Sequence, residues 1–250
     1  MDYINKLFNE DNLEVLKRLP DECIDLIYCD ILYNTGKRFK DYDDNLGTPQ
    51  EAVLWYKPRL LEMQRVLKKD GSVYLQCDYR LVHYLKIEMD NIFGLNNFRN
   101  EIIWSYNWGG RPKDNFAKKH DNILYYTKTT DFYFNGDDIR IPYKTDIKGR
   151  KNALVSKEKY EKGQIPTNVW EIPVLHSMGC ERNGYSTQKP KSIAERIIKA
   201  SSKRGDLVAD FFCGSGTTCV VSKELGRNYI GCDINDKAIL LTQKRLDDID

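Results

Sequence analysis

The sequence predicts an α/β fold built around a mostly parallel sheet. Short apolar runs at 24–29 and 72–77 are typical of buried strands, and the apolar residues of the intervening segment 50–68 recur at helical spacing. Near the other end of the chain, 206–232 contains a strand, a glycine turn, a helix and a second strand in that order. Because parallel neighbouring strands need a crossover connection, usually a helix, both units indicate a parallel sheet.

The remaining strands and helices are predicted from the same kinds of pattern, apolar runs for strands and helical spacing of apolar residues for helices. We predict a helix at 79–91, strands at 100–106 and 121–127, and a helix at 190–202 that begins with Pro190. Pro58 predicts a kink or a break in the helix at 50–68, since proline removes a helical hydrogen bond.

The segment 134–170 interrupts this regularity. Glycines and prolines punctuate it, and its Lys and Arg residues are interspersed with Asn and Gln. We therefore divide the chain into a first half at 1–133, an inserted surface segment at 134–170, and a second half at 171–250 that completes the same domain.

The composition limits the class of protein. With 250 residues, of which 41% are hydrophobic, the chain is long enough for one sizeable core. Its net charge of +2 means that any nucleic-acid surface must be local. Seven cysteines without a CxxC pair favour reduced, mostly buried thiols over disulfides or zinc, and we expect no metal. The start lacks a signal-peptide pattern and no run reaches the roughly 18 apolar residues of a membrane span, so we expect a soluble, cytoplasmic protein.

The glycine turn predicts a cofactor site. In DFFCGSGTT (210–218) a strand runs into a turn with Gly214 and Gly216, which lets a ligand approach the backbone at the carboxyl edge of the sheet. Asp233 ends the next strand at about the 20-residue interval of ribose-binding acidic residues. Cys219 replaces the third glycine of a dinucleotide fingerprint, so a nucleoside cofactor is favoured over a dinucleotide. A purely structural turn would show the same local pattern.

An acidic residue and a tyrosine follow the first buried strand. The segment IDLIYCDILYNTG (24–36) places Asp30 and Tyr33 at the carboxyl end of that strand, where open α/β sheets bind ligands. It resembles the hallmark Asp-Pro-Pro-Tyr, followed often by Asn-Thr-Gly, of the amino-methylating DNA methyltransferases. DFFCGSGTT, YSTQKP (185–190) and VWEIP (169–173) are similar to further landmarks of that family, so the resemblance covers both ends of the chain.

The order of these motifs resembles that of the family's beta group. It implies a Rossmann-like, S-adenosylmethionine-dependent methyltransferase fold with a circularly permuted, mostly parallel seven-stranded sheet and an inserted target-recognition segment. In that order the N-terminus must supply a strand and a turn, and 3–18 is suited to this. The resemblance implies S-adenosylmethionine as the cofactor, with Asp11 at its adenine ring and Lys189 near its methionine end. The predicted cofactor-binding set is Asp11, Asp30, Lys189, Asp210, Phe212, Gly214, Ser215, Gly216, Thr217 and Asp233.

The resemblance assigns the methyl-transfer chemistry to residues 30–33. An exocyclic base amine is a poor nucleophile, and two acceptors aimed at its hydrogens, the Asp30 carboxylate and the Ile31 carbonyl, would make its nitrogen more reactive. Tyr33 would stack on a target base rotated out of the duplex. Ile31 and Leu32 replace the two prolines of the family pattern, so we expect an active enzyme with a less rigid loop, while an inactive copy stays open.

The residue at position 30 bears on the target base. In this family Asp at the first motif position is commoner with adenine targets, and Ser with cytosine amines. Asp30 therefore favours the N6 amine of adenine, with the N4 amine of cytosine as the alternative. Methylation at a pyrimidine ring carbon would need a cysteine that typically follows proline, and the sequence has no Pro-Cys pair.

Two basic segments are candidates for DNA contact. Residues 144–162 carry a net charge of +4, and 104–120 combines basic with aromatic residues, although ordinary solvated loops would look the same. The predicted DNA-binding residues are Asn34, Arg111, Lys113, Lys118, Lys148, Arg150, Lys151 and Asn152. We expect duplex DNA as the partner, and a homodimer because dimers are common in the beta group; a cognate restriction endonuclease stays open. Methylation of RNA and a catalytically silent DNA-binding protein are the remaining alternatives.

Overall fold

Strands and helices alternate along most of the chain. The computed structural model describes residues 2–143, 156–176, 179 and 181–249. The strands are β1 (Lys6–Phe8), β2 (Ile24–Asp30), β3 (Lys37–Arg38), β4 (Asp43–Asp44), β5 (Leu67–Cys77), β6 (Phe98–Ser105), β7 (His120–Thr127), β8 (Val169–Glu171), β9 (Leu207–Asp210) and β10 (Asn228–Cys232). The helices are α1 (Asn12–Arg18), α2 (Pro49–Val66), α3 (Val82–Phe93), α4 (Lys157–Lys162), α5 (Lys191–Ser201), α6 (Thr217–Glu224) and α7 (Asp236–Asp247).

The main sheet has eight strands in the order β1-β10-β9-β2-β5-β7-β6-β8, and β3 and β4 form a separate hairpin. Of the eight described strands in the main sheet, seven run in one direction, while β7 is antiparallel to β5 and β6. The predicted α/β class and mostly parallel sheet are therefore confirmed.

The N-terminal strand is the one that the permuted order required. β1 pairs with β10 in parallel, with Lys6 opposite Ile230, and so extends the sheet beside its last strand. The sheet also has one strand more than the seven expected, because β8 pairs in parallel with the outer edge of β6. β8 is only three residues long, too short for sequence periodicity to identify.

Helix α2 continues through Pro58. Thr48 and Glu51 form a capping box at its start, which satisfies two backbone groups of the first turn. Pro58 cannot donate to the carbonyl of Leu54, but Leu54 is 68% exposed and lies on the solvent side of the helix. The predicted break does not occur, because water can satisfy the carbonyl that proline leaves free.

The sheet separates two apolar layers. Ile27 of β2 packs in a cluster with residues of α1, α2 and α3, while its neighbour Leu26 packs in a cluster with residues of α5 on the opposite face. The six described cysteines are all free and five of them are buried. Within the described residues, no helix is long and apolar enough to cross a membrane.

Candidate active site at the carboxyl edge of the sheet

A cavity of about 440 Å³ lies where β2, β9 and β10 end. It joins residues from both ends of the chain, as expected for neighbouring parallel strands whose carboxyl ends share one edge. The predicted site residues that line it are Asp11, Asp30, Ile31, Leu32, Tyr33, Lys189, Asp210, Phe212, Gly214, Ser215, Thr217 and Asp233. The Asp30 motif and the glycine turn, remote in sequence, therefore face one shared space.

Asp233 and the glycine turn form one wall of this cavity. The Gly214 N–H donates to Asp233 Oδ2 at 2.9 Å, and the Asn235 N–H donates to Oδ1 at 2.9 Å. A carboxylate offers about four acceptor positions, so Asp233 keeps acceptor capacity for a ligand such as a ribose diol. Gly214 has φ +49°, and a Cβ there would lie 3.2 Å from the ring of Tyr185. With glycine at position 214, no side chain separates the backbone of the turn from the cavity.

Gly216 is the predicted cofactor residue that does not line the cavity. It has φ +74° and caps the N-terminus of α6. A Cβ at this position would overlap the side chain of Thr242 in α7. The glycine is thus explained by the close approach of α7 to the turn, whatever its role toward a ligand.

Asp210 ends β9 beneath the turn and is only 3% exposed. The Phe212 N–H donates to its Oδ1 at 3.0 Å. Burial raises the pKa of Asp210 to about 7, and hydrogen bonds from Thr218 and from the Phe212 backbone only partly oppose this rise. Near neutral pH this carboxyl is therefore divided between its neutral and ionised forms.

Asp11 lies on the side of the cavity contributed by the N-terminus. Its carboxylate accepts the Leu13 N–H at 2.8 Å as the cap of α1, and Arg59 donates to its other oxygen at 2.8 Å. The Arg59 guanidinium lies 3.4 Å from the ring centre of Trp55, which also lines the cavity. Arg59 and Trp55 were not predicted from sequence, since both lie within the helical pattern of α2 and resemble ordinary surface and core positions.

Asp30 projects from the end of β2 between a cation and a phenol. Lys189 Nζ donates to its Oδ2 at 2.8 Å, and the Tyr33 hydroxyl lies 2.8 Å from its Oδ1. Burial raises the pKa of Asp30, and Lys189 and Tyr33, which favour the ionised form, only partly oppose this rise. Burial alone would lower the pKa of Lys189, but Asp30 and Asp121 outweigh it and the net shift is upward. The Lys189 ammonium therefore stays charged, and its charge favours the ionised form of Asp30.

The loop after Asp30 is held by specific hydrogen bonds despite its missing prolines. The Ile31 N–H donates to the Gln76 carbonyl at 3.1 Å, and the Tyr56 hydroxyl donates to the Leu32 carbonyl at 2.9 Å. Among the residues that the structure describes, none donates to the Ile31 carbonyl. The second acceptor expected from the motif is therefore available.

Asn34 stabilises the next part of this loop. It has φ +55°, its Nδ2 donates to the Gly47 carbonyl at 2.9 Å, and its Oδ1 accepts the Leu46 N–H at 2.8 Å. Its backbone N–H donates to buried Asp44. Both ends of the Asn34 side chain are thus used within the loop, and its contact with DNA stays a prediction.

A second carboxylate, Asp121, reaches the same phenol from β7. Its Oδ2 lies 2.8 Å from the Tyr33 hydroxyl, and its Oδ1 accepts the Tyr106 hydroxyl at 3.0 Å. Gln76 Nε2 donates to Tyr33 at 3.1 Å and to Asp121 at 3.2 Å. Neither Asp121 nor Gln76 was predicted from sequence. The available signal was a polar residue at the end of an otherwise apolar strand.

The predicted DNA-binding residues are only partly placed. Arg111 and Lys113 are exposed in the loop between β6 and β7, and Lys118 Nζ lies 5.0 Å from the ring centre of Tyr79. In the same loop Trp108 is 75% exposed and Phe116 is 97% exposed. Four further predicted residues, Lys148, Arg150, Lys151 and Asn152, lie outside the described residues.

The site fits the cofactor that the sequence motifs imply. A cavity of about 440 Å³ is within the range of small-molecule sites, which is roughly 300–1,000 Å³. Asp233 retains acceptors for ribose hydroxyls, and a Cβ at Gly214 would narrow the space between the glycine turn and Tyr185. A mostly parallel sheet in permuted order with this site at its carboxyl edge defines a Rossmann-like methyltransferase.

Comparison with known proteins identifies the family. A family model described as DNA methylase matches residues 24–244. The chain therefore belongs to the DNA methylase family, whose cofactor is S-adenosylmethionine. It is 34% identical over 250 residues to the DNA adenine methyltransferase YhdJ of Escherichia coli K12, covering 96% of this chain and 82% of YhdJ. Further relatives are named type II methyltransferases.

Solved structures show the same fold. The PvuII DNA methyltransferase, which is cytosine-N4-specific, matches with a TM-score of 0.72 and 21% identity over 96% of this chain and 85% of that one. A Thermus thermophilus protein described as a putative DNA modification methylase, solved in complex with S-adenosyl-L-methionine, matches with a TM-score of 0.65 and 19% identity over 97% of this chain and 93% of that one. The predicted fold and family are thus confirmed.

Proposed function

We propose that this DNA methyltransferase transfers a methyl group from S-adenosylmethionine to the N6 amine of adenine within a specific short sequence of duplex DNA. The observation that carries the proposal is the pair of acceptors at the end of β2. The Asp30 carboxylate faces the cavity with Lys189 and Tyr33 beside it, and the adjacent Ile31 carbonyl accepts no hydrogen bond from the described residues.

These groups can prepare an amine for attack. The bound cofactor supplies an electrophilic methyl group on a sulfonium. Asp30 holds one hydrogen of the target amine and the Ile31 carbonyl holds the other, which concentrates the lone pair on nitrogen. Lys189 favours the ionised form of Asp30, and a hydrogen bond to a charged acceptor is roughly twice as strong as one to a neutral acceptor.

The choice of adenine depends on Asp30. The family uses Asp at this position more often for adenine, and the name of YhdJ describes an adenine-specific enzyme. Cytosine N4 is the alternative, since the PvuII enzyme with the same fold acts there. Both amines present two hydrogens to the same acceptors, so the product itself must be identified.

The proposal includes the DNA contacts predicted from the sequence. The 106–119 loop leaves the carboxyl edge of the sheet beside Asp121, and its exposed Trp108 and Phe116 could stack on bases while Arg111 and Lys113 contact phosphates. We assign sequence recognition to the inserted segment 134–170. A cytoplasmic homodimer serving a restriction-modification system completes the proposal, and the names of the type II relatives support the last part.

The test is product analysis after incubating purified protein with labelled cofactor and plasmid DNA. N6-methyldeoxyadenosine is expected, and single-molecule sequencing of the same DNA should report one short sequence context. Asp30→Ala should reduce the rate at least about 100-fold, the size of effect seen when a key hydrogen-bonding group is removed from an active site. Asp131→Ala, at an exposed position, is the matched control.

Each alternative has its own result. N4-methyldeoxycytidine as the sole product would refute the adenine assignment. Methyl transfer to single-stranded RNA in preference to duplex DNA would refute the substrate class. Sequence-specific DNA binding and cofactor-dependent stabilisation without any methyl incorporation would identify a catalytically silent protein.

A further inference from the structure

Two carboxylates converge on one phenol at the catalytic motif. The Tyr33 hydroxyl oxygen lies 2.8 Å from Asp30 Oδ1 and 2.8 Å from Asp121 Oδ2. A phenol has a single hydrogen, so it can donate to only one of these carboxylates at a time. Tyr33 therefore stands at the centre of a chain of three groups along which a proton can move.

The two carboxylates differ in their surroundings. Asp30 is paired with the Lys189 ammonium at 2.8 Å. Asp121 is 6% exposed and forms no ion pair within the described part of the chain. Its hydrogen-bond donors are uncharged: the Tyr106 hydroxyl, the Gln76 amide and the Tyr33 hydroxyl. Lys189 therefore favours the ionised form of Asp30, and Asp121 has no such cation bonded to it among the described residues.

The groups that face this pair come from five parts of the chain. β2 and the loop after it supply Tyr28, Asp30 and Tyr33. β5 supplies Gln76, and Asp78 lies just beyond its end. The loop after β6 supplies Tyr106, β7 supplies Asp121, and the segment before α5 supplies Lys189. The Tyr28 hydroxyl donates to Gln76 Oε1 at 2.7 Å and so turns the Gln76 amide nitrogen toward Tyr33 and Asp121. Among these groups the one positive charge, Lys189, is bonded to Asp30 at one end of the chain.

Methylation of an amine releases a proton that the active site must accept. As the amine nitrogen bonds to the methyl carbon, the carbon–sulfur bond breaks and its electron pair stays on sulfur. The nitrogen is then positively charged and carries one hydrogen more than the neutral product. Asp30, which already holds a hydrogen of the amine under the proposed function, takes that hydrogen as a proton.

We propose that Asp121 is the final acceptor of this proton, which it receives through the Tyr33 hydroxyl. Protonated Asp30 gives its proton to the Tyr33 oxygen while the Tyr33 hydrogen passes to Asp121. Asp30 is again a carboxylate beside Lys189, Tyr33 is again neutral, and Asp121 is neutral until it loses the proton to water before the next turnover. Asp121 touches no reacting atom, so it is a positioning residue that acts through Tyr33. This inference rests on the proposed methyl transfer, but not on which base amine is the target.

The first test compares Asp121→Asn and Tyr33→Phe with the unchanged protein in single-turnover methylation across a pH series. Both substitutions keep the shape of the side chain and remove one member of the proton chain. Each should slow methyl transfer about 10- to 100-fold, within or just below the usual range for proton transfer by a positioned group, with little change in cofactor or DNA affinity. The double variant should be no slower than the slower single variant, because both substitutions interrupt one chain.

The matched control is Tyr126→Phe, which removes another phenol-to-carboxylate hydrogen bond on the same strand, from Tyr126 to Asp90 at 2.6 Å. Its methylation rate should stay unchanged. A normal rate in Asp121→Asn, or rate losses that multiply in the double variant, would overturn the proposal.

The second test needs neither cofactor nor DNA. With aspartate labelled at the carboxyl carbon, ¹³C NMR of the free protein should show the Asp30 and Asp121 signals shifting over the same pH interval. In Tyr33→Phe the two signals should shift independently. Independent signals in the unchanged protein would contradict a shared proton chain even if methylation proceeds. If the protein methylates nothing while the signals shift together, the proposed function fails and the shared-proton geometry stands.

Discussion

The buried carboxyl of Asp210 predicts an unusual dependence of stability on pH. Its pKa is raised from the ordinary value of 3.8 to about 7 by burial. A carboxyl whose pKa is raised in the folded state contributes its full stability below pH 3.8, and this contribution is lost as the pH rises toward 7. At about 1.4 kcal/mol per pH unit, the loss over that whole interval is about 4 kcal/mol, and the part between pH 5 and pH 7 is about 3 kcal/mol.

Asp210→Asn removes the ionisation while keeping an acceptor for the Phe212 N–H. The variant should be more stable than the unchanged protein by only about 1 kcal/mol at pH 4.5, and by up to about 4 kcal/mol at pH 8. Urea unfolding at both pH values measures this, with exposed Asp138→Asn as the control for removal of a charge. An Asp210→Asn effect of equal size at pH 4.5 and pH 8 would refute the assignment of a buried, neutral carboxyl at this position.

Three further substitutions test other parts of the site. Gly216→Ala should lower the free energy of unfolding in urea by about 2–5 kcal/mol, because φ is positive and the added Cβ would overlap α7. The control is Gly184→Ala, where φ is +88° and the space is open, and its loss should be only about 1–2 kcal/mol. Equal losses in the two variants would contradict the overlap with α7. Tyr56→Phe should lower the free energy of unfolding by about 1 kcal/mol, because the Leu32 carbonyl loses its hydrogen-bond donor. An unchanged free energy of unfolding would show that water replaces the Tyr56 hydroxyl. Phe116→Ala should leave the melting temperature unchanged but weaken DNA binding by about 1–3 kcal/mol in fluorescence anisotropy, and unchanged affinity would remove the 106–119 loop from the DNA contact surface.

The sequence predicted the elements that carry strong periodicity. β2, β9, β10 and the part of β5 at 72–77 are short apolar runs beside polar residues, so both their existence and their type could be predicted. The acidic residues at their carboxyl ends, Asp30 and Asp233, could be placed at one edge because parallel strands share it. The parallel arrangement of the strands therefore allowed the sequence to predict that Asp30 and Asp233, more than 200 positions apart, lie at one edge of the sheet.

The parts that sequence could not supply depend on pairing between distant residues. No local pattern shows that Lys189 bonds to Asp30, since the spacing of 159 residues has no periodicity to reveal it. The contact of α7 with Gly216 is likewise invisible in sequence, where the glycine is explained equally well by ligand approach. β8 is too short for its alternation to be distinguished from a loop.

The direction and register of β7 decide whether Asp121 can take part in the site. In a fully parallel sheet the first residues of this strand would lie at the opposite edge, roughly 25 Å away for a strand of this length. Because β7 is antiparallel to β5 and β6, its start lies at the carboxyl edge, with Asn122 opposite Cys77 and Asp121 opposite Trp104. A slip of one residue would put Asn122 in the place of Asp121 and turn every side chain of the strand to the other face. Such a slip would break the hydrogen bond from Tyr126 of β7 to Asp90 of α3 at 2.6 Å, so contacts farther along β7 help to fix a carboxylate at its start.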